Sequence, residues 1–307
     1  MDEIRANNHG QQFKVAILMA TYQGERFLKE QLDSLFAQSY KDWTLYVHDD
    51  GSSDATMSIL ESYHSHYPNM VILDYPSQHG AKNNFFSMIE RVDADYYFLC
   101  DQDDVWLPEK IETEIVQMML LEKQHPNLPL LVCSDAFVVD EQLSIISSSL
   151  WRSSGKYPEL LSTFSALGAI DYVTGCTMLF NRAVKNSIGV PSVWATMHDA
   201  WIALSVMKAG GIIFSISTPL VKYRQHSSNT LGAGEWKANQ WNYRWRELIA
   251  VCQRHQQRWK MLQALNYGSL MKYIYYRIRY KYMRWVVYAS SKDNQSLNNE
   301  EHENKTA

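Results

Sequence analysis

The sequence predicts an α/β protein: a mainly parallel sheet with helices on both faces, followed by a helical C-terminal appendage. Three observations carry this expectation. From Phe13 to about Phe180 short apolar runs alternate with amphipathic stretches, the pattern of successive βα units. Acidic turns at Asp49 to Asp54 and Asp101 to Asp104 each follow an apolar run, so both are expected at the same edge of the sheet. From Trp236 to Tyr288 the chain turns rich in Trp, Tyr and Arg, which marks a separate segment.

Taken in order, Val15 to Ala20 reads as a buried strand, Gln31 to Ala37 as part of a helix and Leu45 to His48 as the next strand. Asp54 is placed to cap a helix through Tyr63; Val71 to Leu73 is strand-like and Asn83 to Arg91 helical. Tyr96 to Cys100 and then Pro108 to Leu121 repeat the strand and helix. Leu130 to Val139 and Tyr172 to Phe180 are expected as two further strands, and the Ser-rich stretch Ser147 to Lys156 between them as a mobile loop over the site. A helix over Asp199 to Lys208 is expected to stop at Gly210 and Gly211, and a strand from Ile212 to Ile216 follows. The domains are therefore expected as an N-terminal tail over 1–12, a main domain over 13–235, an aromatic and basic helical appendage over 236–289 and a disordered tail over 290–307.

A chain of 307 residues with 46% hydrophobic content can bury a sizeable core. Its formal charge of -4 excludes a general nucleic-acid binder, which needs a strong basic excess. Cys100, Cys133, Cys176 and Cys252 lie far apart, so neither a disulfide frame nor a zinc site is indicated. The N-terminus lacks the order of a secretory signal and no apolar stretch is long enough to span a bilayer, so the expected location is cytoplasmic.

The tetrad Asp101, Gln102, Asp103, Asp104 is the most informative feature. Carboxylates at the C-terminal lip of a buried strand suit a hard divalent cation held against a phosphate, although acidic residues there also serve as turn formers and helix caps. In the other acidic turn Gly51 permits close backbone approach, and Asp50 is the residue that capping does not explain.

Six pieces of the chain carry a resemblance. They are Ala20 to Glu25 (ATYQGE), the block DDGSSD at Asp49 to Asp54, the Asp-x-Asp at Asp101 to Asp103 within LCDQDDVW, Thr174-Gly175-Cys176, the pair His198-Asp199, and RQHSSN at Arg224 to Asn229. In that order, from about Lys14 to about Thr230, the chain resembles the family 2 glycosyltransferases, inverting nucleotide-sugar transferases on the GT-A fold. The resemblance implies that Thr21, Tyr22, Glu25 and Asp50 hold the pyrimidine base and ribose of a UDP- or dTDP-sugar. A carboxylate at Asp50 would accept from the imide N–H of uracil or thymine, which cytosine lacks. Lys82 and Asn84 correspond to residues that approach nucleotide or phosphate, with a solvated surface lysine as the alternative for Lys82. Asp101 is implied near the ribose with Gln102 beside it. Asp103 is implied as a ligand of Mn2+ or Mg2+, with His226 as a further ligand or an exposed loop histidine. Thr174, Gly175 and His198 are implied on the donor sugar's side, and Asp199 as the base that deprotonates the acceptor hydroxyl, whether or not it also caps its helix.

Processive members of the family carry Gln-x-x-Arg-Trp and several spanning helices; this chain has Tyr223, Arg224, Gln225, His226 and no spans, which implies single additions. The flavour of LCDQDDVW and RQHSSN resembles bacterial rhamnosyltransferases of O-antigen, capsule or cell-wall assembly, whose glycan acceptors are commonly lipid-linked. The basic and aromatic segment 272–288 then either lies at the membrane's inner face as a peripheral contact or packs on the core with its cations solvated. Two rival readings are a non-catalytic nucleotide-sugar-binding protein on the same fold and a metal-dependent nucleotidyltransferase. The second needs a glycine-rich phosphate loop that Gly24 alone does not supply.

Overall fold

The computed structural model describes residues 13–226 and 241–303, the helical residues 241–251 and 288–303 by their backbone alone. The expected tail at 1–12 and the Ser227 to Asn229 part of RQHSSN lie outside the described residues. The elements, in chain order, are β1 (Val15–Thr21), α1 (Leu28–Phe36), β2 (Thr44–Asp49), α2 (Thr56–His66), β3 (Met70–Ile72), α3 (Ala81–Arg91), β4 (Tyr96–Cys100), β5 (Val105–Trp106) and α4 (Lys110–Gln124). Then come β6 (Leu130–Val139), β7 (Ile145–Ser147), α5 (Leu150–Ser153), α6 (Phe164–Ala169), β8 (Met178–Asn181), α7 (Arg182–Ser187), α8 (His198–Lys208), β9 (Ile212–Arg224), α9 (Trp241–Ala264) and α10 (Leu270–Glu303).

The strands form one sheet in the order β3-β2-β1-β4-β8-β6-β9-β5, with β7 against β6. The pairs among β1, β2, β3 and β4 are parallel, as is β6 with β9, whereas β8 runs antiparallel to both β4 and β6. Two antiparallel steps restore the original direction. The C-terminal ends of β1, β2, β4, β6 and β9 therefore all reach one edge of the sheet.

Alternation along β1 explains why both faces are covered. Ile17 and Met19 belong to the core shared with Leu28, Leu32 and Leu35 of α1 and with Ile111 and Ile115 of α4. Ala16 and Leu18 face the other core, shared with Phe85 and Met88 of α3, Ile202 and Val206 of α8, and Met261, Tyr273 and Tyr280 from the C-terminal helices. All of these side chains are buried, which at about 25 cal/mol per Å² of apolar surface is the main driving force for this arrangement.

Several boundaries differ from expectation. The strand expected from Tyr172 begins only at Met178, because Thr174 O accepts from both the N–H and the hydroxyl of Thr177 and closes a 3₁₀ turn over Gly175–Thr177. The Ser147 to Lys156 stretch is ordered: Ser149 caps α5 by accepting from Arg152 N–H at 3.0 Å, and its hydroxyl donates to Asp135. The strand expected to end at Ile216 continues to Arg224, with register shifts on either side of the Asp135–Pro219 pair absorbing Ser217, Thr218 and Leu220. Ala55, not Asp54, occupies the N-cap position of α2; the Asp54 carboxylate accepts from the N–H and hydroxyl of Thr56 one residue further in. The helix α10 runs past Ser290 to Glu303, where a tail without structure was expected; no Gly or Pro occurs over 290–303 to stop it.

Candidate active site

The site lies along the shared edge. At the end of β1 the buried Thr21 donates its hydroxyl to Asp49 at 2.9 Å. Gln102, from the acidic loop after β4, accepts from Tyr22 N–H and donates to Tyr22 O, both at 2.9 Å, so one amide grips the β1 loop in the manner of a sheet pair. Tyr22 is left 56% exposed, a ring available to a planar ligand. The Glu25 carboxylate is exposed and accepts from Ala55 N–H at 2.9 Å, at the start of α2.

Asp49 organises its own turn by accepting from the N–H groups of Gly51 and Ser52. Asp50 reaches across to the loop before α3, where Ser77 Oγ, Gln78 N, His79 N and Gly80 N all donate to it. Burial alone would raise the Asp50 pKa, but these four donors outweigh it and lower it. A carboxylate has about four lone-pair sites, so Asp50 can take an imide N–H only by giving up a loop donor. Asn84 is buried, with its amide donating to His48 O at 3.1 Å and its oxygen 2.9 Å from His48 Nδ1. Its expected nucleotide contact is corrected accordingly: the residue ties β2 to α3. Lys82 is half-buried, and its Nζ donates to Ala195 O at 3.1 Å, in the segment leading into α8.

The acidic loop is held from the far end of the chain. Arg224, 1% exposed at the end of β9, donates its backbone N–H to Asp104 Oδ1 at 3.0 Å, its Nε to Asp103 O at 2.7 Å and its Nη1 to Glu141 O at 2.5 Å, and pairs with Glu30. Its guanidinium lies 4.5 Å from the centre of the Phe27 ring. Two residues further on, His226 Nε2 lies 2.8 Å from Asp103 Oδ2. The two expected metal ligands, 123 positions apart, are thus brought together.

Asp101, Asp104 and Cys176 offer atoms within 4.8 Å of one another. Burial, then the neighbouring carboxylates of Asp104, Asp103 and Asp199, push the Asp101 pKa well up. Asp104 is raised by burial and by Asp103, and its Oδ2 has no N–H or O–H donor among the described residues. Burial and the Asp104 and Asp101 charges keep the Cys176 thiol protonated. Carboxylates this close, Asp104 buried with no side-chain donor among the described residues but the Cys176 thiol, and an imidazole beside them are a donor set that fits a hard divalent cation. Asp104, Cys176 and Arg224 escaped the sequence-level assignment. Asp104 stands in the acidic tetrad without a separate role in the family motif, and Arg224 acts through a strand whose length the sequence concealed.

Opposite stands Asp199, in the first turn of α8. Met197, not Asp199, occupies the N-cap position, and the Asp199 carboxylate accepts from Ala200 N–H at 2.6 Å and from Gly175 N–H. Burial, then the charge of Asp171, raises its pKa to about 6 against those two bonds. Thr174 carries the turn that aims Gly175 N–H at it. Gly175 must lack a side chain, because a Cβ there would stand 2.6 Å from His198 Nε2. His198 is 3% exposed and packs 4.2 Å from the Phe85 ring centre; neither of its nitrogens has a hydrogen-bond partner among the described residues, and burial lowers its pKa to about 3. It is a neutral ring behind Asp199 and Gly175.

Residues 16–186 match the family described as "Glycosyl transferase family 2". The chain belongs to that family. This family 2 glycosyltransferase is 27% identical over 231 residues to "dTDP-rhamnosyl transferase RfbG" of Shigella flexneri, covering 70% of this chain and 74% of the relative. It is 30% identical over 217 residues to "Putative glycosyltransferase EpsE" of Bacillus subtilis, covering 70% and 74%. Among solved structures it is similar to S. aureus TarS 1-349 in complex with UDP-GlcNAc, with a TM-score of 0.53, 17% identity and coverage of 72% of this chain and 61% of the other. Mannosyltransferase PcManGT from Pyrobaculum calidifontis, in complex with GDP-Man and Mn2+, gives 0.51, 16%, 68% and 56%. The chain spans only 36% of the full TarS chain, so these likenesses speak for the GT-A fold alone.

Proposed function

We propose that this family 2 glycosyltransferase is inverting and metal-dependent. In this reading it moves a single hexose or deoxyhexose, rhamnose by preference, from a UDP- or dTDP-sugar to a hydroxyl of a lipid-linked glycan in bacterial polysaccharide assembly. The observation that carries it is Asp199. This half-buried carboxylate, its pKa raised to about 6, lies close enough to the acidic loop to raise the Asp101 pKa in turn. A base with a pKa near the working pH combines adequate ionisation with proton affinity.

Asp199 takes the acceptor's proton as its oxygen attacks the anomeric carbon from the side opposite the diphosphate. Gly175 and Ala200 N–H groups hold the carboxylate oriented. Tyr22 offers its ring to the base, Asp50 accepts the imide N–H in exchange for a loop donor, and Asp101 faces the ribose. Asp103 and His226 are the proposed ligands of Mn2+ or Mg2+, Mn2+ being favoured by the imidazole nitrogen. The cation, when bound, stabilises charge on the departing diphosphate. The similarity to a dTDP-rhamnosyl transferase supports rhamnose and a thymidine carrier. A glucosyltransferase named for a diphosphoundecaprenol acceptor, WfgD of Escherichia coli, 24% identical over 202 residues, supports the lipid-linked acceptor. Such an acceptor gives the chain a reason to work at the membrane's cytoplasmic face, with 272–288 as a peripheral contact.

The test is a screen of dTDP- and UDP-sugars for Mn2+-dependent protection against thermal unfolding, followed by transfer assays on the best donor. Asp103→Ala should abolish transfer with the fold intact, and His226→Ala should weaken the metal dependence. Full transfer in excess EDTA would refute the metal role.

A further inference from the structure

The face of α10 turned away from the core is apolar. Met271, Ile274, Tyr275, Ile278, Tyr282 and Trp285 are exposed, Ile278 by 63% and Trp285 by 65%. Their spacing follows the helical repeat, so at 100° per residue they share one stripe. The opposite stripe docks on the body. Tyr273 is buried, Arg277 donates to Ala169 O at 2.9 Å, Tyr280 OH donates to Gly155 O at 3.0 Å, and Arg284 Nη1 donates to Gly155 O at 3.4 Å. The same repeat sets Lys272 and Arg279 along one flank of the exposed stripe and Lys281 along the other.

A second exposed apolar group lies in the segment before α8. Val190, Val193 and Trp194, in the segment leading to Asp199, are 92%, 84% and 46% exposed. This segment lies against the end of α9: Lys260 sits 4.0 Å from the Trp194 ring centre, and a cavity of about 430 Å³ is lined by Ile188, Val190, Ala264 and Leu265. The chain turns from there directly into α10.

We propose that the exposed stripe of α10, its flanking cations and the Val190 to Trp194 segment form one surface that lies in the headgroup region of an anionic phospholipid bilayer. This deepens the membrane contact in the reading above and rests on it. Charge selects the occupant: over 252–287 the chain has lysines and arginines but no aspartate or glutamate, in a protein of net charge -4. A stripe mixing Tyr and Trp with aliphatic residues, flanked by Lys272 and Arg279 on one side and Lys281 on the other, matches a bilayer interface, where rings sit at headgroup depth and cations meet lipid phosphate. The surface ends beside the segment that positions Asp199, which brings the acceptor end of the site next to the lipid.

The experiment sediments the full chain with phosphatidylglycerol or phosphatidylcholine vesicles at low and high salt. Binding is expected to phosphatidylglycerol, falling with salt. Ile278→Glu with Trp285→Glu should weaken it by about tenfold or more, and Arg279→Glu with Lys281→Glu should weaken it and flatten the salt dependence. Val190→Asp with Val193→Asp should weaken it further than either change alone; unaltered binding there removes the segment from the surface. Failure of the parent to bind phosphatidylglycerol at low salt overturns the proposal, as does equal binding by the Ile278 and Trp285 variant. It is also overturned by a parent dimer that this variant dissociates, since a second copy would then occupy the face. Nucleotide-sugar protection against unfolding, read in every variant, should not change. Its absence from a parent that binds vesicles refutes the transferase reading and leaves the surface standing.

Discussion

Asp199 does two things that pull in opposite directions. A carboxyl whose pKa rises from 3.8 to about 6 on folding is held more favourably in its protonated form. That advantage is complete below about pH 3.8 and is lost as the pH rises through about 6, so at neutral pH the ionised base destabilises the fold. Asn keeps an oxygen for the N–H groups of Ala200 and Gly175 but stays neutral at every pH. Asp199→Asn should therefore lose about 10²-fold or more in kcat. It should also gain about 1–3 kcal/mol of stability at pH 7.5, and less at pH 5. In the parent, kcat/KM should fall below an apparent pKa of about 6, where the base becomes protonated. Urea titrations at the two pH values and a pH–rate profile measure all three; retained turnover in the variant would assign the proton to another group. How such residues read from sequence depended on what else could use them. The pairing of Asp103 with His226 was legible because motif residues of unlike type had no shared local structural purpose. The bonds of Asn84 to His48 were not, because an amide near a helix start satisfies backbone and neighbours as readily as a ligand.

At the scale of elements, periodicity exposed β1, β2, β4 and their helices, whose apolar runs are unbroken. It missed the two-residue β5 and the second half of β9, where polar residues and Pro219 interrupt the run and pairing with β6 holds the strand. The missed half delivers Arg224 and His226 to the acidic loop. Beneath that loop α4 carries a device no periodicity shows: Lys110 and Glu114 are both 0% exposed and meet at 2.6 Å. The ammonium also lies 4.6 Å from the Trp106 ring centre and 5.1 Å from that of Phe98, so the aromatic faces share its charge. Burial raises the Glu114 pKa against the pull of Lys110. Glu114→Leu alone leaves a buried ammonium unpaired and should cost about 3–5 kcal/mol. Adding Lys110→Met should restore most of that loss, because paired apolar replacements are tolerated where half a pair is not. Chemical unfolding of the four proteins of the cycle decides it: a double variant as unstable as the single one would mean that the aromatic contacts, not the pair, hold α4.

Across the whole molecule, the C-terminal helices are joined electrically to the base. Arg258 of α9 pairs with Asp171 and donates to Gly168 O at 2.8 Å and Leu167 O at 2.9 Å, fastening α9 to the end of α6. Burial would raise the Asp171 pKa, but the charges of Arg258 and Lys156 outweigh it and hold it well below the usual carboxylate range. Asp171 therefore stays ionised, and its charge is the second cause, after burial, of the raised Asp199 pKa. Arg258 compensates that charge from a helix of the appendage. Arg258→Ala should lower the melting temperature by freeing α9. It should also move the acid limb of the pH–rate profile upward, as Asp171 acts on Asp199 with less compensation. Arg258→Lys keeps the charge but not the forked hydrogen bonding, so it should return the acid limb towards the parent while recovering only part of the stability. If both variants lose stability and neither moves the limb, the appendage is a structural buttress. A limb that follows the charge at position 258 makes the docking of α9 part of how the base is tuned.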